Sequence, residues 1–175
     1  MRKTKIYFEE YLSIRSLVDS ISNQLEEHHS KHMHCKAGCD LCCMDYNIFP
    51  VEFYAILNSL KEKDIKPETL ISTTDEQCIF LNNHRCAIYR DRPIICRTHG
   101  LPLLFMNDNG EWELSACELN FTEFDFAQFS QENTFPQDKF NSKLFTLNKR
   151  FIHDFEVGEH GEFDLISLKR LMNYL

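Results

Sequence analysis

Long apolar runs are missing from this 175-residue chain. No stretch approaches the roughly 18 to 20 apolar residues that a membrane-crossing helix requires, so no membrane partner is expected. Glycine is scarce, at five residues, and no glycine-rich phosphate loop, HExxH or GxSxG occurs. The zinc deaminase pattern is missing too, because Gly38 rather than proline precedes the CxxC and no HxE lies upstream. Outside the cysteines nothing assembles a catalytic constellation, so enzyme status is left open, leaning against, with catalytic residues unknown. Positive charge is also short: the net charge is −8, with the acidic excess concentrated in residues 101–165. An acidic surface repels phosphate backbones, so no nucleic-acid partner is expected. The basic start, Met1 to Lys5, runs through Ile6, Tyr7 and Phe8 into Glu9 and Glu10, which interrupts any signal-peptide core and points to the cytoplasm. Cysteine itself is absent before residue 35 and after residue 117.

Between those limits lie eight cysteines. Cys35, Cys39, Cys42 and Cys43 form CxxxCxxCC, followed by Cys78, Cys86, Cys96 and Cys117. Clustered thiols share a metal or pair with each other, whereas cysteine used as a small core residue would be scattered. A reducing compartment keeps thiols free, and a chain with 43% hydrophobic residues and 15 Phe can bury a sizeable core without disulfides. Metal binding is therefore the reading, with all eight cysteines as candidate ligands.

The expected fold class is α+β and mainly helical, with helices around a small cysteine-rich core and short β-hairpins. One domain is expected over 1–175, comprising an N-terminal helix (1–34), the cysteine-rich segment (35–117) and a Phe-rich helical part (118–175). Tyr7, Tyr11, Ile14, Val18, Ile21, Leu25 and His28 recur at spacings of four and three, one seam of a long helix packed on its own domain. Pro50 and Glu52 start a second helix through Leu60. Residues 78–81 face 86–89 across Asn82 to Arg85 as a hairpin, and 101–106 face 111–114 across Asn107 to Gly110 as another. Phe140, Leu144, Leu147, Phe151 and Phe155 mark a helix over 138–155, and 163–175 reads as a last short helix. The stretch from Phe121 to Phe135 reads as core.

The spacing of the first four cysteines limits what they can do. In a helix they would all point to one side, but eight residues at about 1.5 Å each separate the ends by about 12 Å, while zinc–sulfur bonds are about 2.3 Å. One ion cannot take all four unless the segment unwinds, which Gly38 allows. Distant cysteines then complete the site, as two four-thiolate centres or as one centre with spare thiols. Zinc and iron–sulfur clusters both accept four cysteines. Four thiolates around a divalent ion leave a charge of about −2, which Lys36, Arg85, Arg90, Arg92 and Arg97 stand beside and could offset. His28, His29, His32 and His34 precede Cys35 and read as a solvated helix end, with metal loading as the other reading. Cys39 and Cys42 form a CxxC, but no βαβ pattern supports a thioredoxin-like site.

CxxxCxxCC, then CIFL, CAIYRDRPIICR over Cys86 to Arg97, and the trailing Gly100 together resemble the YkgJ-like family of zinc- or iron-chelating proteins. The resemblance covers Cys35 to Cys117 and implies a metal site, zinc or iron–sulfur, with no assigned reaction. The chain is also distantly similar to flagellin lysine methylases with a comparable cysteine pattern. Within the motif, Pro93 opens a helix that aims Cys96 at the site. Arg92 and Arg97 are the expected cofactor-facing residues around the sulfurs, with Tyr89 packing nearby, and His99 is a candidate substitute ligand or proton donor. The expected function is metal binding; a zinc-stabilised module with a protein partner and an iron–sulfur enzyme of redox or methyl-transfer type are the alternatives.

Overall fold

The computed structural model describes residues 2–66, 77–155 and 160–175. Helix α1 (Arg2–His28) follows the sequence seam: Tyr11 and Val18 are fully buried, and Tyr7, Ile14 and Leu25 nearly so. Helix α2 (Pro50–Glu62) begins with proline, whose missing N–H costs nothing in the first turn and whose φ is already helical. Helix α3 (Ile94–Thr98) is short, and α4 (Gln137–Asp154) packs along α1 and α2. The α+β, mainly helical expectation is met.

The strands are brief. Strand β1 (Asn47–Ile48) pairs antiparallel with β7 (Ile166–Ser167). Strands β2 (Leu81–Asn82) and β3 (Arg85–Cys86) form a hairpin in the register Leu81↔Cys86 and Asn82↔Arg85. Its turn is two residues, Asn83 and His84, at φ 47° and 59°. Two successive left-handed residues give the turn whose twist matches paired strands, so the loop is tighter than the four residues expected from sequence. Strands β4 (Leu103–Met106), β5 (Trp112–Ser115) and β6 (Phe135–Pro136) make a third sheet, with β6 parallel to β4.

Two apolar clusters result. One joins α1, α4 and the start of α2 through Tyr11, Val51, Leu101, Phe135, Phe140 and Phe151. The other lies on the opposite side of α2 and packs Phe53, Ile56 and Leu60 against Phe80, Ile88 and Leu171. Each fully buried Phe or Leu stabilises by about 1.5–3 kcal/mol. Tyr54 touches both clusters. The second cluster reaches Cys78 directly and Cys43 and Cys86 at its edge.

Three expectations are corrected. Residues 163–175 are not one helix: Ile166 and Ser167 extend beside β1, and only Leu168–Asn173 coil, as a tight 3-10 turn. Asp45 enforces this by accepting from Ser167 Oγ at 2.7 Å and Lys169 N–H at 2.9 Å, while Leu168 N–H donates to the Tyr46 carbonyl. Next, His29 is not solvated; it is 1% exposed, with Nε2 2.7 Å from the Asn133 carbonyl and the rings of Phe121, Phe124 and Phe129 around it. That explains the Phe-rich stretch as packing on the end of α1, although Phe126 stays exposed. Finally, Pro93 precedes α3 rather than occupying its first turn.

Candidate metal centre

All eight cysteines are free thiols. Residues 35–43 are turns rather than helix, with Gly38 at φ +95°, so the stripe is unwound where its glycine allowed it. The unwound segment is tied down at its far end. Cys78 N–H donates to the Cys43 carbonyl at 3.1 Å, Met44 bridges Gln77, and His84 Nδ1 lies 2.8 Å from an Asp40 carboxylate oxygen. These contacts lay the end of the motif against the β2–β3 hairpin.

Two groups of thiols emerge from their mutual influence. Cys43 senses the charges of Cys78, Cys86 and Cys96, and Cys96 senses those of Cys78, Cys86 and also Cys42. Cys35 instead senses Cys117, Cys39 and Cys42. Cys42 stands at the boundary: its thiol donates to the Cys43 sulfur, which holds the Cys42 thiol strongly in its protonated form and lowers the pKa of Cys43. Among the described residues no three His, Cys, Asp or Glu side chains converge tightly enough to hold an ion. Cys43, Cys78 and Cys86 share one apolar cluster, while Asn120 ties Cys35 to Cys117 and Cys35 shares a groove with Cys39.

The inner neighbourhood is Cys43, Cys78, Cys86 and Cys96. Burial pushes Cys78 up to about 11 and also raises Cys86 and Cys96. Opposing this, the Cys78 sulfur accepts from Phe80 N–H and the Cys86 sulfur from Ile88 N–H, each two residues onward. Amide donors aimed at a sulfur favour the thiolate, the form that binds metal. Arg92 adds a positive charge that Cys86 senses; its guanidinium lies 3.8 Å from the Tyr89 ring centroid and donates to the Tyr89 carbonyl.

Cys96 is delivered by α3, and α3 is set by Glu52. This carboxylate is 2% exposed and accepts from Tyr11 Oη and Ile94 N–H, both at 2.7 Å. Burial raises its pKa while those two bonds work against the rise. Arg97, expected beside the sulfurs, spends its charge elsewhere. Its Nη1 contacts both Asp19 oxygens at 2.5 and 2.7 Å, Nη2 donates to the Arg90 carbonyl and Nε to the Arg92 carbonyl. It locks the 90–92 loop and α3 onto α1, with Asp91 held by Ser59, Lys63 and Arg15.

The outer neighbourhood is Cys35, Cys39, Cys42 and Cys117, and its organiser is Asn120. This side chain is 4% exposed, accepts from His34 N–H at 2.7 Å, and donates to the Gly100 carbonyl at 2.8 Å and to Cys35 Sγ at 3.4 Å. Its own N–H donates to the Cys117 carbonyl. Gly100, at φ +91°, closes the cradle: a Cβ there would meet Cys35 Sγ at 2.5 Å. Asn120 shows no motif signal and Glu52 only that of a helix start, since each acts on the cysteines through partners distant in sequence. Lys36 lines the adjoining groove with Cys35 and Cys39.

His99 stacks on Tyr46 at 5.0 Å between ring centroids, and its buried Nε2 has no hydrogen-bond partner. Burial lowers its pKa, keeping the ring neutral. Tyr46 is itself pushed up to about 12 by burial and then by the thiolates of Cys42, Cys96, Cys43 and Cys78.

Soft donors in fours, amide hydrogens aimed at two sulfurs, and a glycine cradle under a third fit a thiophilic metal. The fold and these residues define a domain with clustered cysteines. Residues 34–118 match the family model described as CxxCxxCC, "Putative zinc- or iron-chelating domain". This segment is similar to that family, the one its motif resembles. No curated protein and no solved structure matches the chain. No helix among the described residues is long and apolar enough to cross a membrane.

Proposed function

We propose that the chain is a cytoplasmic single-domain metal-binding protein with two four-thiolate centres. The inner one uses Cys43, Cys78, Cys86 and Cys96; the outer one uses Cys35, Cys39, Cys42 and Cys117. The observation that carries this reading is that Cys43, Cys78 and Cys86 share one apolar cluster, while Asn120 joins Cys35 to Cys117 and Cys35 and Cys39 line one groove. Every cysteine is then used. An excess of thiols over one zinc site, which would favour an iron–sulfur cluster, is thereby accounted for, and two tetrahedral zinc sites suit the donors as well as two iron centres do.

When bound, zinc would supply a structural cross-link, and iron a centre able to take up an electron. The chain's own residues do the rest. Phe80 and Ile88 amides hold two inner sulfurs as acceptors, Arg92 offsets charge at Cys86, and Asn120 with Gly100 places Cys35. No residue takes a catalytic role in this reading.

The test is purification without oxygen, followed by elemental analysis and a visible spectrum. Two zinc ions per chain, or two iron–sulfur clusters with about two or four irons each, are expected, with C39S and C86S each lowering the content at one centre. Iron would show as visible thiolate-to-iron absorption, zinc as a colourless protein. A preparation that takes up no metal, or variants that leave its content unchanged, would overturn the reading.

A further inference from the structure

The two neighbourhoods are built to different standards of permanence. Inner Cys78 is 9% exposed and belongs to an apolar cluster, with Cys43 and Cys86 packed against it. Its four thiols come from the motif's end, the segment leading into the hairpin, the hairpin itself and α3, so releasing an ion there means separating packed elements. Three of the outer thiols are more open, although Cys117 is half-buried like Cys43, Cys86 and Cys96. Cys35, Cys39 and Cys42 are exposed, the 36–42 segment consists of short turns, and Gly38 has nothing within 4 Å of where a Cβ would stand. Cys35 and Cys39 open onto a surface groove of about 620 Å³ shared with Met33, His34, Lys36 and Leu119.

We infer that the outer centre is an exchange site, through which the chain passes metal to and from small anionic thiols, while the inner centre keeps its metal as a staple of the fold. This rests on the two-centre reading above. Groove access lets an incoming sulfur approach beside Cys39, and the Lys36 ammonium in the same groove favours an anionic ligand. The exchange is a ligand substitution. One metal–sulfur bond to the incoming thiol forms as one bond to a cysteine breaks, the thiol's proton passes to the departing cysteine sulfur, and no electrons change hands.

The experiment loads the full chain with zinc to two equivalents and follows release to a coloured zinc indicator, with and without glutathione. Two phases of equal amplitude are expected. The fast phase should be accelerated by glutathione but not by S-methylglutathione, which keeps the charge and lacks the thiol. C39S should lose the fast phase, keep the slow one and retain its far-ultraviolet circular dichroism. Release of both ions in one phase, a fast phase that survives C39S, or equal acceleration by the S-methyl compound would overturn the inference while leaving the two-centre reading intact. Uptake of one ion would overturn both, and uptake of none would remove metal binding itself.

Discussion

Replacing Gly100 with alanine tests the outer cradle at a single methyl group. Two costs can be separated. At φ +91° any residue with a Cβ is strained, by about 1–2 kcal/mol. The second cost is contact: the new Cβ would lie 2.5 Å from Cys35 Sγ and 3.2 Å from Asn120 Nδ2, against ordinary contact distances of about 3.5–4 Å. The sulfur must retreat by about 1 Å, and overpacking of this kind costs about 1–3 kcal/mol. Metal–sulfur bonds tolerate deviations of only about 0.2 Å, so the shift matters more for binding than for folding. Gly110, at φ +78° with nothing within 4 Å, carries the first cost without the second. In urea unfolding G100A should therefore lose about 1–3 kcal/mol more than G110A, and elemental analysis should show one metal equivalent lost from G100A and none from G110A. Equal stability losses with full metal content in both would refute the cradle.

Three further outcomes follow from the same contacts. N120A removes the bonds that tie His34, Gly100 and Cys35 together and should cost about 2–3 kcal/mol in denaturant unfolding, with metal loss confined to the outer centre. R97K keeps the charge but not the fork that holds Asp19, Arg90 and Arg92; a loss of about 2–4 kcal/mol with two metals retained is expected, and metal loss without destabilisation would place Arg97 back beside the sulfurs. Asp91 gives a pH signature. Burial alone would raise its carboxyl, but hydrogen bonds from Lys63 and Ser59 and the charges of Lys63 and Arg15 hold it below the usual range. A lowered carboxylate adds stability that is present above its unfolded value, about 4, and is lost as pH falls through the folded value. D91N should thus be less stable than the parent at pH 7 by about 1–2 kcal/mol, with the gap closing below about pH 4; a gap independent of pH would refute the assignment.

What the sequence made legible was local. The α1 seam, the proline that starts α2 and the turn residues of both hairpins rest on periodicity or on a backbone preference carried by neighbouring residues. What it concealed was set by partners far along the chain. Residues 163–175 have helical spacing, yet Asp45 holds Ser167 beside β1 and the Lys169 amide in the 3-10 turn that follows. His29 sits in a polar run and is buried because Phe121, Phe124 and Phe129 return to cover it. The candidate ligands were visible as a cluster, but Glu52 and Asn120, which aim Cys96 and Cys35, look like ordinary surface residues until their partners are known.

The adjacent pair Cys42 and Cys43 shows why spacing alone could not partition the thiols. In a helix the two would share a face; in the turn that forms instead, neighbouring side chains diverge. Cys43 is directed at the hairpin by the bond from Cys78 N–H to its carbonyl, while Cys42 remains exposed and within reach of Cys35. In the proposed reading, a motif that looks like one ligand string is a junction, giving three sulfurs to one centre and one to the other. The boundary is also where the two meet, because the Cys42 thiol donates to Cys43 and its charge reaches Cys96.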